Sequence, residues 1–256
     1  MSIVTASSRR KSTSERGIGQ FIVYALLVVF LIGAGLRWRS QQELRDVRIT
    51  GLHTISEAEI RRVLDSTLLP KKVADVDLQA VRLAVLTVPF VRKAVVERVS
   101  ENGIEITVTE RQPVALLVND MGDPAFLDFD GVVVPYRHLS QGKDLPIVRG
   151  VIGSGGIDTV AKAEVVQLLR DLQSTEGKML YNDISEIGFD KGKRSFTIET
   201  SADASLVLFG TFENHEEKVS NLYSLRRSTT TNITNGAASV IDVRWKDKMF
   251  VTKRTL

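Results

Sequence analysis

The sequence contains no cysteine, so disulfide bonds, cysteine-ligated metal sites and thiol nucleophiles are all excluded. It also has little net charge, because 34 Lys and Arg residues face 31 Asp and Glu residues and leave a formal charge of +3 at pH 7. So small an excess, without a basic stripe interleaved with aromatic residues, predicts no nucleic-acid partner. The 256 residues are 43% hydrophobic, which is enough for one large domain or two small domains with separate cores.

Sequence motifs of catalytic and metal sites are scarce as well. The three histidines, His53, His138 and His215, are far apart, and none has a second His or a Glu at the spacing of a zinc-ligand pair. The chain has neither a Gly-x-Ser-x-Gly elbow nor a Walker loop. We therefore predict no enzyme, no catalytic residue, no bound metal and no cofactor.

Two short patterns leave alternatives open. Residues 150–156 read GVIGSGG and are predicted to be a flexible linker. Because a predicted helix follows, a phosphate-binding loop is the alternative, but no Lys-Ser or Lys-Thr completes such a loop. Asp128 and Asp130 are two positions apart, so acid–base catalysis by a membrane-anchored hydrolase is the alternative to a β-turn built from Asp and Gly. The linker and the turn are the simpler interpretations.

The strongest local signal is a long apolar run near the N-terminus. Residues 17–36 read GIGQFIVYALLVVFLIGAGL and contain no charged residue. At about 1.5 Å per residue, this run spans roughly the 30 Å hydrocarbon core of a bilayer. A cleaved signal peptide is the alternative, with Gly33-Ala34-Gly35 resembling a cleavage site, but the length favours a retained helix. We predict a tail at 1–16, a transmembrane helix at 17–36 and a stem at 37–45.

The orientation of this segment does not follow from charge. Four basic residues precede it (Arg9, Arg10, Lys11, Arg16) and four follow it closely (Arg37, Arg39, Arg45, Arg48), so the positive-inside comparison is a tie. The rest of the chain is a long domain on the C-terminal side, and long domains are translocated largely regardless of charge. We expect a cytoplasmic N-terminus and a C-terminal domain outside the cytoplasm.

Residues 46–112 carry the pattern of a small α+β module. Val47–Gly51 is typical of a short strand, and Ser56 and Asp77 stand where helix N-caps are expected. The valine-rich stretch 91–99 predicts a strand, and Asn102-Gly103 predicts a tight turn into a third strand over 104–110. The order strand, helix, helix, strand, strand predicts two helices over one face of a three-stranded sheet.

Residues 113–256 alternate short apolar runs with Gly-rich and Asp-rich turns, which predicts a mostly antiparallel β domain with two helices. The helices are expected at about 158–175 and 213–228, and the last two strands at 239–245 and 249–253. Ile241, Val243 and Trp245 alternate with polar residues, so they are predicted to share one face of a late strand. We expect Val243 in the core and leave Trp245 open between core and surface.

Several stretches of the chain are similar to motifs of one family. They are Val47–Gly51 (VRITG), Val88–Val91 (VPFV), Glu110–Ala115 (ERQPVA), Leu127–Gly131 (LDFDG), Leu145–Gly150 (LPIVRG) and Ile241–Trp245 (IDVRW). With an apolar segment, an α+β module and a β domain in this order, the chain resembles the FtsQ/DivIB family of bacterial cell-division proteins, and its first module resembles a POTRA domain. The chain departs from the family in three places. Val99–Asn102 follows Arg98 without the proline of the common Arg-x-x-Pro pattern, Lys248 stands where a glycine is frequent, and Lys253 stands where a final tryptophan is frequent.

The resemblance implies a non-enzymatic assembly protein of the divisome. Such a protein crosses the inner membrane once and has its bulk in the periplasm at the division septum. It links early and late division proteins and, with FtsB-like and FtsL-like single-pass proteins, helps to regulate septal peptidoglycan synthesis. The runner-up interpretation is a POTRA-bearing periplasmic docking module of a protein secretion or outer-membrane assembly system.

The resemblance also implies that the partner adds a strand to the edge of the β domain at its last strands. Such binding requires an exposed strand with unpaired backbone N–H and C=O groups. We predict that the partner contacts the C-terminal residues Arg244, Trp245, Lys246, Lys248, Met249, Phe250, Val251 and Lys253.

Overall fold

The computed structural model describes residues 13–40, 43–68, 75–100, 102–139, 144–174, 178–229 and 239–253. The chain divides into two compact units, residues 1–109 and residues 110–256. Most of the predicted N-terminal tail, residues 1–12, lies outside the described residues.

One helix, α1 (Thr13–Ser40), covers the whole predicted membrane segment. Its side chains are described at 23–35 and 37, and the large apolar ones among them are exposed, from Val23 at 61% to Ile32 at 57%. Among the residues that the structure describes, no helix is both long enough and apolar enough to cross a membrane. The side chains of 17–22 lie outside the described set, so the transmembrane segment at 17–36 stays a prediction.

The first unit contains the predicted α+β module. Its elements are β1 (Asp46–Thr50), α2 (Glu57–Leu68), α3 (Leu78–Leu86), β2 (Val91–Ser100) and β3, which runs from Gly103 to Glu110. The three strands form one sheet in the order β1-β3-β2, with β1 parallel to β3. The predicted order of elements is therefore confirmed.

Both helices of this module begin at the predicted caps. Ser56 Oγ accepts a hydrogen bond from the backbone N–H of Glu59 at 3.3 Å, and the Asp77 carboxylate accepts from two backbone N–H groups of the first turn of α3. These bonds satisfy N–H groups that have no partner within the helix. The helices bury apolar side chains against the sheet: Ile60, Leu64, Val81 and Val85 from the helices and Ile104 and Ile106 from β3.

The second unit is built around one large sheet. Its strands are β4 (Pro113–Val118), β5 (Pro124–Asp128), β6 (Val133–Pro135), β7 (Ile147–Arg149), β8 (Ile152–Gly153), β9 (Gly156–Ile157), β10 (Ile184–Asp190), β11 (Ser195–Thr200), β12 (Leu206–Gly210), β13 (Ser239–Asp242) and β14 (Phe250–Lys253), and its helices are α4 (Thr159–Gln173), α5 (Lys178–Asp183) and α6 (His215–Thr229). Nine strands form the sheet in the order β14-β13-β12-β11-β10-β7-β4-β5-β6, and β8 and β9 form a separate hairpin.

The nine-stranded sheet is mixed, with more antiparallel than parallel neighbours. Three neighbouring pairs are parallel (β4 with β7, β7 with β10 and β12 with β13), and the other five are antiparallel. Alternate residues of the central strands, such as Phe196, Val207 and Phe209, point into one core. The helices α4 and α6 contribute to the same core, for example with Leu169 of α4. The edges of the sheet are β14 and β6.

Two details of the second unit differ from the prediction. The described residues contain a third helix, α5, which the sequence did not reveal because six residues are too few for a 3.6-residue period. The stretch 150–156, predicted to be a flexible linker, contains β8 and the first residue of β9, and it lies between β7 and α4. A linker was the wrong interpretation, because its glycines form a hairpin within the compact unit.

Candidate partner-binding edge

The last strand of the chain, β14, lies at one end of the nine-stranded sheet. It pairs antiparallel with β13, so that Val251 lies opposite Ile241 and Phe250 lies opposite Asp242. No other strand in the described part of the chain pairs with its second side. The backbone groups on that side are therefore available to an added strand.

The side chains of β14 are exposed along its whole length. Phe250 is 52% exposed and Val251 37% exposed, and the preceding loop adds Trp245, which is 57% exposed. Exposed lysines, Lys248 before the strand and Lys253 at its end, accompany these apolar groups. Lysines at a strand edge oppose non-specific edge-to-edge pairing, and exposed aromatic side chains are frequent anchors of specific interfaces.

The strand β13 ends earlier than its alternating sequence predicted. Its last residue is Asp242 rather than Trp245, because the Asp242 carboxylate accepts a hydrogen bond from the backbone N–H of Arg244 at 3.1 Å and so turns the chain. Val243 remains in the core at 2% exposure, as expected, and its N–H bonds to the carbonyl of Leu208 at 3.2 Å. Trp245 is thereby placed outside the core, which answers the question that the sequence left open.

The same carboxylate holds the Arg244 and Trp245 side chains. Arg244 donates from Nε at 2.9 Å and from Nη2 at 2.7 Å, and Trp245 donates from Nε1 at 3.3 Å. The hydrogen bonds from Arg244 lower the pKa of Asp242, and the same pair raises the pKa of Arg244. Arg244 is thus oriented by its own chain. Sequence reasoning missed Asp242, although its position two residues before Arg244 is typical of an Asx turn.

The loop between β13 and β14 rests against the first turns of α6. The backbone N–H of Asp247 faces Glu217 Oε1 at 3.4 Å. Lys218, which is only 8% exposed, donates from Nζ to the carbonyl of Thr211 at 2.6 Å and lies 5.1 Å from the centre of the Phe209 ring. Burial lowers the pKa of Lys218. These bonds connect α6 to the end of β12 and to the loop that carries Trp245.

The structure brings the eight predicted contact residues together at this edge. Arg244, Trp245, Lys246 and Lys248 lie in the loop, and Phe250, Val251 and Lys253 lie on β14. Met249 differs from the others because it is half-buried and packs against the core. Thr252 was not singled out from sequence, although its backbone belongs to the same edge.

A polar network fixes the opposite end of β13. The backbone N–H of Ser239 donates to the buried Ser205 Oγ at 3.0 Å, and Ser205 lies beside Asp203. Asp203 accepts from Thr200 Oγ1 at 2.7 Å and from both terminal nitrogens of Arg226 at 2.9 and 3.2 Å. Burial alone would raise the pKa of Asp203, but the bonds from Arg226, Thr200 and Ser205 outweigh it and lower that pKa to about 2.

This network predicts a specific loss of stability in acid. Because the folded pKa of Asp203 lies below 3.8, its ionised form contributes stability at neutral pH that is lost as the pH falls from about 4.5 towards 2. We expect the free energy of unfolding of the wild type to exceed that of Asp203→Asn by about 2 kcal/mol at pH 7 and by well under 1 kcal/mol at pH 2. Urea unfolding at both pH values measures this, and an advantage independent of pH would contradict it.

Comparisons with known proteins identify the first module and agree over much of the chain. The profile of the family described as "POTRA domain, FtsQ-type" matches residues 43–111. Proteins named "Cell division protein FtsQ" are similar to this chain: that of Geotalea daltonii is 30% identical over 64% of this chain and 59% of its own length. The protein from Mycobacterium tuberculosis is 28% identical over 82% of this chain and 64% of its own length, and that from Burkholderia pseudomallei is 31% identical over 58% and 56%.

The chain belongs to the FtsQ/DivIB family. The similarity spans about three fifths of the length of the relatives. The FtsQ-type profile covers β1 to β3 and ends at Arg111, the second residue of the ERQPVA stretch.

The ERQPVA motif of this FtsQ/DivIB chain has a clear structural role. Arg111 donates from Nη1 to Asp128 Oδ2 at 2.7 Å and lies 3.5 Å from Asp130 Oδ2. Asp128 is 3% exposed, and its other oxygen accepts from the backbone N–H groups of Asp130 and Val132. The motif thus secures the turn between β5 and β6 of the same unit.

These contacts bear on the alternatives left open by the sequence. Both oxygens of Asp128 are occupied by a turn and an ion pair, which is the structural role that the simpler interpretation predicted. The glycine-rich stretch does lie between β7 and α4, as a phosphate-binding loop would. The Asp158 carboxylate, however, caps α4 and accepts hydrogen bonds from the N–H groups of Val160 and Ala161. A phosphate would bind to these same N–H groups, so Asp158 occupies its place. In the described part of the chain, no cluster of His, Asp and Glu side chains forms a metal site.

Proposed function

We propose that this chain is a non-enzymatic cell-division protein whose β domain binds another division protein by adding that protein's strand to β14. The partner is a single-pass membrane protein of the FtsB-like or FtsL-like kind. Through it, the chain would link early and late components of the divisome at the septum and help to regulate septal peptidoglycan synthesis. The FtsQ-type profile favours this role over a docking module of secretion or outer-membrane assembly.

The position of β14 carries this proposal. It is the end strand of a nine-stranded sheet, and its residues are all exposed. A partner strand would gain a row of main-chain hydrogen bonds there, which supply affinity without requiring a particular sequence. Residues on β14 alternate in direction, so Val251 continues the side of Ile241 while Phe250 continues the side of Asp242. Selectivity would come from these side chains.

Charge and aromatic area at the edge indicate the chemistry of the partner. The lysines Lys246, Lys248 and Lys253 are exposed, and no ion pair is recorded for them within the described residues. They favour a partner segment that carries acidic residues beside its strand, because opposite charges steer association and fix register. Trp245 and Phe250 present apolar area at the two ends of the loop, where the partner's apolar side chains would pack.

Two neighbouring proline substitutions test strand addition directly. Along β14 the backbone N–H groups alternate between β13 and the free edge, so of Val251 and Thr252 one donates inward and the other outward. Val251→Pro and Thr252→Pro should therefore differ in effect. The substitution that removes the inward N–H lowers the free energy of unfolding. The substitution that removes the outward N–H leaves it nearly unchanged but weakens partner binding by at least about tenfold. Co-purification and titration with an FtsB-like protein measure binding.

The matched control is Met121→Ala, which removes a large apolar side chain that is 86% exposed and lies in the turn between β4 and β5, away from β14. It should leave binding unchanged, whereas Phe250→Ala should weaken it. If the stable proline variant binds the partner as well as the wild type does, strand addition at β14 is wrong.

We also propose that residues 17–36 anchor the chain in the plasma membrane, with the N-terminus in the cytoplasm and both folded units in the periplasm. The uncharged run at 17–36 supports this, since about 20 apolar residues in one helix are enough to span the hydrocarbon core of a bilayer. A C-terminal fusion to a reporter enzyme that is active only outside the cytoplasm should be active. Membrane retention of a variant without 17–36 would contradict the anchor, and an inactive fusion would contradict the proposed orientation.

A further inference from the structure

A second candidate site lies in the β domain at the end of the sheet where β4 begins. It is a cavity of about 470 Å³, within the roughly 300–1,000 Å³ typical of small-molecule sites. We call it the amide pocket, because three side-chain carboxamides line it: Gln112 before β4, Gln173 at the end of α4 and Asn182 in α5. It is built from other elements than β14, so what it binds does not depend on the partner-binding edge.

The polar groups of the amide pocket suit a ligand that both donates and accepts hydrogen bonds. A carboxamide has two N–H donors and one carbonyl acceptor. The hydrogen bond between Gln173 and Tyr181 uses one of these groups and leaves the others, so the three carboxamides together can still bond to hydroxyl groups in either direction. Gln112 and Asn182 are exposed and Gln173 is half-buried, so the pocket can be entered from solvent. A ligand with several neighbouring hydroxyl or amide groups matches this arrangement best.

Aromatic side chains form a second kind of wall. Tyr181 and Phe129 are both half-buried and line the pocket. Tyr181 Oη donates to the carbonyl of Val114 at 2.8 Å, and the carbonyl of Phe129 accepts from Arg170 Nη2, so hydrogen bonds hold both residues in place. Burial raises the pKa of Tyr181, which keeps the phenol neutral at physiological pH. The negative face of an aromatic ring attracts the C–H groups on the apolar face of a sugar ring.

The charges around the pocket exclude other ligand classes. Its described lining residues include one acidic side chain, Asp144, and no Lys, Arg or His. Phosphate and carboxylate ligands would find no counter-charge among these described residues, and their desolvation would be costly. The apolar part of the wall, which includes Pro113 and Leu145, suits a small methyl-bearing substituent such as an acetamido group.

We propose that the amide pocket binds one uncharged sugar unit of a glycan chain. The carboxamides of Gln112, Gln173 and Asn182 would bond to its hydroxyl or acetamido groups, and the rings of Phe129 and Tyr181 would pack against its C–H face. Binding of a single neutral unit through a few hydrogen bonds is expected to be weak, with a Kd of about 1 mM or somewhat below.

The test uses the full chain in detergent micelles with chitotetraose and cellotetraose as probes, and binding is measured by saturation-transfer NMR and calorimetric titration. We expect saturable binding of at least one of them. The double variant Gln112→Leu, Asn182→Leu should weaken it by about tenfold, because two exposed carboxamides are lost without disturbing the core. Gln79→Leu, which changes an exposed carboxamide on α3, is the matched control and should bind like the wild type.

Circular dichroism confirms that each variant is folded. No saturable binding of either saccharide, or binding that the double variant leaves unchanged, would overturn the proposal. A neutral peptide, acetyl-tetraalanine amide, is the third probe. If it binds and the saccharides do not, the pocket recognises a peptide backbone, and the proposal is wrong.

Discussion

Gly150→Ala is expected to lower the free energy of unfolding of the β domain by at least about 3 kcal/mol. Gly150 follows β7 with φ at +81°, and a Cβ atom there would lie 2.0 Å from the carbonyl oxygen of Phe189 and 3.0 Å from its carbonyl carbon. The left-handed conformation alone costs a non-glycine residue about 1–2 kcal/mol. The overlap with backbone adds to that cost, because β10 lies beside β7 in the centre of the sheet and cannot retreat without separating from it.

Two other glycines separate these contributions. Gly122 has φ at +91°, but a Cβ atom added there would have no neighbour within 4 Å, so Gly122→Ala should show the conformational cost alone, about 1 kcal/mol. Gly155 has neither a left-handed φ nor a close neighbour, so Gly155→Ala should be neutral or slightly stabilising. Urea unfolding followed by circular dichroism gives the three values. A cost for Gly150→Ala no larger than that of Gly122→Ala would show that β10 can move aside.

The first module could be predicted almost completely from the sequence, because its signals are local. Ser56 and Asp77 cap the predicted helices, and Asn102-Gly103 lies at the predicted turn between β2 and β3. The order of its strands, however, with β3 in the centre, is a pairing between distant segments. Alternating apolar residues show which face of a strand is buried but leave its neighbours open.

The candidate binding edge was predicted in position but not in geometry. The last strand of the chain is an edge of the sheet, and its residues are exposed. The alternation of Ile241, Val243 and Trp245 nevertheless predicted a strand that reaches Trp245, which is wrong, because the Asp242 side chain competes for the backbone and ends β13. The amide pocket could not be predicted at all, since its carboxamides come from three separate elements that only the folded sheet brings together.

Asp128→Ala is expected to cost about 3–5 kcal/mol of stability, the range found when one partner of a buried ion pair is removed. The substitution leaves Arg111, whose side chain is 17% exposed, with the more distant Asp130 as its remaining carboxylate in the turn. It also removes the acceptor for the backbone N–H groups of Asp130 and Val132 at 2.9 and 2.8 Å. Both losses act on the turn between β5 and β6, at one end of the sheet.

Asp190→Ala is the matched control, because Asp190 also accepts from a backbone N–H, that of Lys193 at 3.0 Å, and pairs with a cation, but in an exposed turn. It should cost under about 1 kcal/mol. In urea unfolding, the double variant Arg111→Ala, Asp128→Ala should be more stable than the sum of the single losses predicts, because no unpaired buried charge remains. The interpretation would be contradicted if the losses of unfolding free energy were additive, or if Asp128→Ala cost no more than Asp190→Ala. The turn would then hold its shape without the ion pair, and the ERQPVA stretch would have another role.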